Sequence, residues 1–429
     1  METYRKVILI LFCIVFGIKS YAQITLPDSA VYQKITHIVE EVIKVYAPDK
    51  RTAIFELQAL DKFTHSYQIE TTEPKAKEHF RQLLSENHIP ASKVTIKLLP
   101  DSSVNGNVIG IVNLSVANLR TTPRNQAELA TQVLLGTPVD LLQKKDGYFR
   151  IRTPEGYISW VSASSITPKS KSELHQWKTA RKVIFTADFG HSYVEPDEKS
   201  LRVSDLVMGN ILTLEDESAG FVKVGYPDGR MAYIKNEQAR PFDEWLGTLN
   251  PTPENILATA KTMMGLPYLW GGTSVKGVDC SGFTKTAYYM NGVIIPRDAS
   301  QQVLAGQPVD ILSADTLDTA KALKNLQPAD LLFFASGENR APDARITHVA
   351  LYLGNGEFIH AAGTVRINSM LSQAPNYDDF QSRTLVAARR YLGQVDIALR
   401  PIALHPAYAS PDGQQITPTD NSKPHNNDR

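Results

Sequence analysis

Two cysteines in 429 residues leave no room for a disulfide framework, so the cores of this chain must hold it without such staples. Charge of one sign is also missing. Lys and Arg number 45 and Asp and Glu 45, so no long-range field draws the chain to nucleic acid or to an anionic membrane. Nor is any apolar run long enough for the ~20 residues that a membrane-spanning helix needs. What specificity the protein has must come from local sites. At roughly 100 to 200 residues per domain, the length suggests about three folded units.

The longest apolar run, Val7 to Ile18, follows a basic stub with Arg5 and Lys6 and precedes the small-residue exit Ser20-Tyr21-Ala22. This layout predicts a cleaved secretory signal over 1–22 and an exported protein, periplasmic or secreted, with no stable membrane anchor. Lipidation of Cys13 is the competing reading. It meets the difficulty that Cys13 lies inside the apolar run and follows bulky Phe12. After cleavage one cysteine is left, Cys280, which must then be a free thiol.

Beyond the signal, Asp28 and Ser29 are good N-caps, and Val31, Ile35, Ile38, Val39 and Val42 recur at helical spacing until Pro48. Strand-like runs at Ala53 to Leu57, Tyr67 to Glu70 and Val94 to Leu98, with a helix carrying Phe80, Leu83 and Leu84, complete a small α+β unit over 23–103. No chemistry attaches to it. From about 105 to 240 the chain repeats itself. Shifted by 73 positions, Gly136 falls on Gly209, Gly147 on Gly220, Pro154 on Pro227 and Gly156 on Gly229, while Tyr148 meets Phe221, Arg150 meets Lys223 and Ile151 meets Val224. Short strands between glycine turns predict two small all-β barrels, 104–167 and 181–242. An α+β segment over 250–393 follows Pro251 and Pro253, and a tail over 394–429, rich in Pro and Asn, is expected to be disordered from about Pro406.

Asp279 is a good N-cap, and Phe283, Ala287 and Met290 share one face of the helix that Asn291-Gly292 ends. Cys280 then sits in the first turn, where free amide hydrogens and the helix dipole favour the thiolate that acyl transfer requires. A buried structural thiol is the plainer alternative. Thr347 to Leu353, Gly354-Asn355-Gly356 and Glu357 to His360 read as a hairpin with a histidine on each strand. A two-residue loop puts His348 and His360 on opposite faces. A three-residue loop, or an equivalent bulge, pairs Ala350 with His360 and brings both imidazoles to one face, and that register is the prediction. His348 is then the general base and His360 its orienter. Cys280, His348 and His360 are also zinc-ligand types, but the short ligand spacings of zinc sites are absent, and neither metal nor other cofactor is expected.

The blocks Leu266-Pro267-Tyr268-Leu269-Trp270-Gly271-Gly272, Asp279-Cys280-Ser281-Gly282-Phe283, Pro296-Arg297-Asp298-Ala299-Ser300-Gln301-Gln302 and Pro328 to Phe334, followed by His348 and His360, resemble the NlpC/P60 cysteine peptidases over roughly 250–393. The resemblance implies a papain-like α+β catalytic domain behind two SH3-like barrels, acting on peptidoglycan stem peptides, with Cys280 as nucleophile, His348 as base and His360 as third polar residue. It also places Tyr268 beside the thiol, where it helps stabilise the oxyanion. Upstream, Ala127-Glu128-Leu129-Ala130-Thr131-Gln132 and Gly156-Tyr157-Ile158-Ser159-Trp160 resemble the γ-D-glutamyl-L-diamino acid endopeptidases, or dipeptidyl-peptidases VI. By that resemblance Glu128 and Tyr157 receive the free amine of an N-terminal L-Ala, with Asp279 and Ser281 contributing. Arg297 is expected to pair with a carboxylate of D-Glu, a surface salt bridge being the alternative, Asp298, Ala299 and Ser300 to line the same loop, and Trp270 to form a groove wall or core. A broader wall endopeptidase or amidase, and a non-enzymatic wall-binding protein, are the alternative functions.

Overall fold

The computed structural model describes residues 29–61, 66–218, 220–335 and 344–409. The expected signal, with Cys13, and the chain beyond 409 lie outside them. By its contacts the chain divides into two units, one reaching Pro48 and resuming over Ile54–Leu98, the other comprising Asp49–Ala53 and everything from Leu99 on. The first contains helix α1 (Ser29–Tyr46), strands β1 (Phe55–Asp61) and β2 (Ser66–Thr71), helix α2 (Pro74–Glu86) and strand β3 (Val94–Leu98). β1 runs antiparallel to β2, and β2 parallel to β3. The helical stripe of Ile35, Ile38, Val39 and Val42 is buried, as are Phe80, Leu83 and Leu84 of α2, so apolar periodicity decides which helix faces form the core.

The second unit opens with a seven-stranded barrel: β4 (Ile109–Val112), β5 (Val116–Arg120), β6 (Leu129–Leu134), β7 (Pro138–Lys145), β8 (Tyr148–Arg152), β9 (Ile158–Ser162) and β10 (Ile166–Lys169). Helix α3 (Lys171–Thr179) joins it to another: β11 (Lys182–Phe185), β12 (Phe189–Tyr193), β13 (Arg202–Val207), β14 (Ile211–Ser218), β15 (Phe221–Gly225), β16 (Met231–Lys235) and β17 (Ala239–Pro241). Each strand of the second barrel begins 73 positions after its counterpart in the first. The sheet orders agree as well, β10-β4-β7-β8-β9-β5-β6 beside β17-β11-β14-β15-β16-β12-β13. Even the bulge recurs, between Leu141 and Gln143 in one copy and Leu214 and Asp216 in the other. The glycines matched in sequence all turn the chain at positive φ, Gly136 and Gly209 at 82° and 91° and Gly156 and Gly229 at 91° and 90°, a backbone state that costs glycine nothing and other residues a steric clash.

After α4 (Phe242–Thr248) comes α5 (Pro253–Thr262), then the short hairpin of β18 (Thr273–Ser274) and β19 (Gly277–Val278), and helix α6 (Cys280–Tyr289). β20 (Val293–Ile294), α7 (Ala299–Gln302), β21 (Gln307–Pro308), the hairpin of β22 (Leu312–Ser313) and β23 (Thr316–Leu317), and α8 (Thr319–Asn325) lead to the main sheet. Its strands are β24 (Leu331–Ala335), β25 (Ile346–Gly354), β26 (Glu357–Ala362), β27 (Thr364–Ser369) and, after α9 (Asp379–Thr384), β28 (Leu385–Arg390), in the order β21-β28-β24-β25-β26-β27. Leu331, Phe333, Val349 and Leu351 join the core containing Phe283 and Ala287 of α6, while Leu332, Phe334, Ala350 and Tyr352 form a core on the other side. The alternation follows from the two-residue period of a strand whose faces are both covered. The expected tail from 394 on needs correcting in its first part. β29 (Arg400–Pro401) pairs with β20, and Ile402 and His405 are buried, because Ile402 supplies an apolar anchor that the polar composition of the tail obscured.

Candidate active site

Asp279 caps α6 as its residue type predicts, accepting the Gly282 amide at 2.7 Å, and Cys280 is the first helical residue. The helix lies close to the preceding loop. A Cβ on Gly282 would fall 2.0 Å from the Gly272 carbonyl oxygen, and one on Gly271 would fall 2.6 Å from that of Leu129. Gly271 and Gly282 thus admit the protein's own backbone. The thiol is buried, with Sγ 4.0 Å from the Thr347 carbonyl oxygen, beside the strand that carries His348.

In the hairpin of β25 and β26, Gly354 pairs with Glu357 across a two-residue turn. A bulge then shifts the register, so that Tyr352 faces Phe358 and Leu351 faces Ile359. Beyond the bulge Ala350 stands level with His360, and both imidazoles share a face, with His348 Nε2 2.8 Å from His360 Nδ1. His360 Nε2 lies 3.0 Å from Asn368 Oδ1. The oxygen of that amide is fixed, because Nδ2 donates to the Asn376 carbonyl and Oδ1 accepts from Arg366 Nε, each at 3.0 Å. The tautomers follow. His360 donates from Nε2 and accepts at Nδ1, His348 donates from Nε2, and the lone pair left over is on His348 Nδ1.

Burial holds both imidazoles neutral. It is the main cause that takes His348 down to about 3, aided by His360 and Arg366, and His360 down to about 4 against the opposing bond from Asn368. Burial, and then the charge of Asp279, push the Cys280 thiol up to about 12. Burial thus works against the thiolate that the helix start favours. The N-cap position was visible in the sequence, but not the desolvation that outweighs it.

A cleft of about 330 Å³ opens over Cys280. Tyr268, Trp270, Asp279 and Ser281 line it, together with Asp298, Ala299 and Ser300 around the start of α7, and from the first barrel Glu128 and Tyr157. Trp270, 60% exposed, is a wall and not core. Its indole Nε1 donates to Glu128 Oε1 at 2.7 Å. Burial raises both the Tyr157 and Tyr268 hydroxyls well above the ordinary phenol range, so both remain donors.

Arg297 does not take part as expected. Its side chain is fully buried outside the cleft lining, with Nη1 and Nη2 on Asp279 at 3.0 and 2.7 Å, Nη1 also on Ser281 Oγ at 2.9 Å, and Nε on Thr131 Oγ1 at 2.6 Å. The expectation that Arg297 binds a substrate carboxylate is corrected, since its fork is used on the protein. Asp279 in turn accepts from Arg297, Gly282, Gly271 and Ser281. It has little capacity left for an ammonium group and acts as a buried strut. Sequence reasoning missed Asn368 and the lining residues Arg51 and Arg345. Asn368 was within reach, because a hairpin turning near Gly363 pairs His360 with Arg366 and puts Asn368 diagonally on the same face. No local pattern marks Arg51.

The family model described as NlpC/P60 family matches residues 265–387, and that described as bacterial dipeptidyl-peptidase SH3 domain matches 119–166. The chain is 31% identical over 279 residues, 62% of its length and 77% of the relative's, to the gamma-D-glutamyl-L-lysine dipeptidyl-peptidase of Bacillus cereus. It is 29% identical over 286 residues, 65% of its length and 97% of the relative's, to dipeptidyl-peptidase 6 of Lysinibacillus sphaericus. Among solved structures, an NlpC/P60 family protein from Bacillus cereus superposes with a TM-score of 0.54 at 26% identity, covering 66% of this chain and 99% of that one.

Proposed function

The chain belongs to the NlpC/P60 family of cysteine peptidases, and from that premise we propose that it is an exported endopeptidase that cleaves the γ-D-glutamyl bond to the diamino acid in peptidoglycan peptides whose N-terminal L-Ala amine is free, releasing L-Ala-γ-D-Glu. The observation that carries this reading is the bond from Trp270 Nε1 to Glu128 Oε1, which draws a carboxylate of the first barrel over the cleft of the catalytic domain. With Tyr157 and Asp298 it supplies the oxygens that an ammonium group needs in place of its hydration. The Bacillus cereus relative, named for the γ-D-glutamyl-L-lysine bond, supports the choice of bond.

In the proposed reaction Cys280 Sγ attacks the γ-carbonyl of D-Glu and its proton passes to His348 Nδ1. His360 and Asn368 keep that nitrogen unprotonated beforehand. The tetrahedral oxyanion meets the Cys280 amide, which has no partner within the helix at the first turn, and the Tyr268 hydroxyl. Collapse expels the diamino acid amine, which takes the proton from His348 and leaves a thioester. Water attacks the thioester, His348 Nδ1 receives its proton and returns it to sulfur, and the dipeptide acid departs. Intact wall peptides have the L-Ala amine tied up as an amide, so the proposed substrates are released fragments and the proposed role is recycling.

The test is hydrolysis of L-Ala-γ-D-Glu-L-Lys and of its diaminopimelate counterpart, each with the L-Ala amine free and N-acetylated. Cleavage of the free forms alone is expected. Equal cleavage of both forms would indicate a broader wall endopeptidase, and cleavage of neither a wall-binding protein.

A further inference from the structure

Residues Asp49–Ala53 belong by their contacts to the second unit, although the chain on either side belongs to the first. Arg51, at the middle of this segment, lines the cleft with 30% of its side chain exposed. Its Nη1 donates to Asp298 Oδ2 at 2.7 Å and to Ser300 Oγ at 2.9 Å. Nε and Nη2 grip the two oxygens of Asp49, each at 2.8 Å. Asp49 also accepts from Gln301 Nε2 at 2.7 Å, and the Arg51 carbonyl accepts from the amide of Ile158, the residue after Tyr157, at 2.6 Å. One residue is therefore bonded to the barrel strand beside Tyr157 through its backbone and to the catalytic loop through its side chain.

The Asp298 carboxylate stands between two cations. Arg297 Nη1 lies 3.8 Å from Oδ1 and draws it into the protein, and Arg51 is the cation that holds Oδ2 at the cleft.

We infer that Arg51 is a positioning residue for specificity, holding Asp298 at the cleft and in fixed relation to Tyr157 so that the pair can receive the substrate's ammonium group. The inference rests on the free-amine reading above, and on no contact between Arg51 and the substrate. Recognition of the N-terminus then depends on three stretches of chain: the first barrel, the catalytic domain and the segment at 49–53.

The experiment compares the full-length protein with Arg51→Ala and Arg51→Lys, using free and N-acetylated L-Ala-γ-D-Glu-L-Lys. Alkylation of Cys280 serves as a probe of the catalytic centre. Losing a charge-assisted bond in a partly buried site predicts that Arg51→Ala raises KM for the free peptide by about tenfold. Turnover and alkylation rate are expected to stay at the wild-type level. Lysine keeps the charge for Asp298 but not the fork on Asp49, so Arg51→Lys should recover part of the KM. An unchanged KM in Arg51→Ala overturns the inference while leaving the amine reading intact. Parallel losses in turnover and alkylation that lysine fails to restore also overturn it, since they mark a general structural support. If the wild type ignores acetylation, the amine reading falls and takes this inference with it, whereas an unchanged KM in Arg51→Ala beside a wild type that requires the free amine removes the inference alone.

Discussion

His348 Nε2 and His360 Nδ1 stand 2.8 Å apart, and the fixed amide of Asn368 behind them decides which of the two carries the proton between them. A single side-chain oxygen thereby selects the nitrogen on which His348 keeps its lone pair. Replacing Asn368 with Ala leaves the buried Nε2–H of His360 without its acceptor and frees the other tautomer. Turnover is expected to fall by about tenfold, the usual consequence of an orphaned buried donor, with little change in KM. Steady-state kinetics with the tripeptide measures it, and turnover equal to wild type would contradict the proton order.

Thiol reactivity gives a second prediction. With the thiol pushed up to about 12 and His348 down to about 3, the substrate-free protein holds very little thiolate at neutral pH. Alkylation of Cys280 by iodoacetamide is expected to be slower than that of an unstructured cysteine and to climb steadily from pH 6 to pH 9. A plateau beginning below pH 7 would instead reveal a thiolate–imidazolium pair.

Acid stability follows from the same burial. A histidine whose folded pKa is depressed binds a proton in the unfolded chain first. Its stabilising contribution is therefore complete above about 6.5 and is lost as pH falls toward the folded value. For fully buried His360, whose folded value is about 4, the loss approaches about 1.4 kcal/mol per pH unit across that window. His348 adds to it with the same sign. Denaturant midpoints between pH 7 and pH 4 should decline in the wild type and decline less steeply in His360→Asn. Parallel slopes would show that other groups dominate.

Arg297 supports a further prediction. Replacing it with Met strands the Asp279 carboxylate inside the protein, at a cost of about 3–5 kcal/mol, and removes the bond to Thr131 of the first barrel. Thermal melting is the direct check. Arg297→Lys should recover some of this, because an ammonium group can reach Asp279 but cannot serve Asp279, Ser281 and Thr131 together.

The sequence made the helix start at Asp279, the hairpin parity of His348 and His360, and the repeated barrel legible, because each depends on short-range periodicity or on a turn residue. What it hid lies in burial and in distant pairing. Pro296-Arg297-Asp298 reads as a loop with a free cation, yet Arg297 is fully enclosed by partners contributed by the first barrel and α6. Arg51 meets Asp298 across 247 positions, a separation over which no pattern in one sequence speaks. The desolvation that opposes the thiolate is hidden for the same reason, since an N-cap is a local feature and desolvation depends on everything packed around it.

The repeated barrels also act as an internal control. Glu128 corresponds to Leu201, which is 80% exposed, and Tyr157 to Arg230, which lies over the Tyr226 ring 4.4 Å from its centroid. Strand starts, bulge and turn glycines agree between the copies, whereas these two positions do not. The agreement marks what the barrel needs in order to fold, and on the reading proposed above the differences mark what only the first copy does. Exchanging Glu128 for its counterpart Leu should therefore leave the architecture standing and remove only amine recognition.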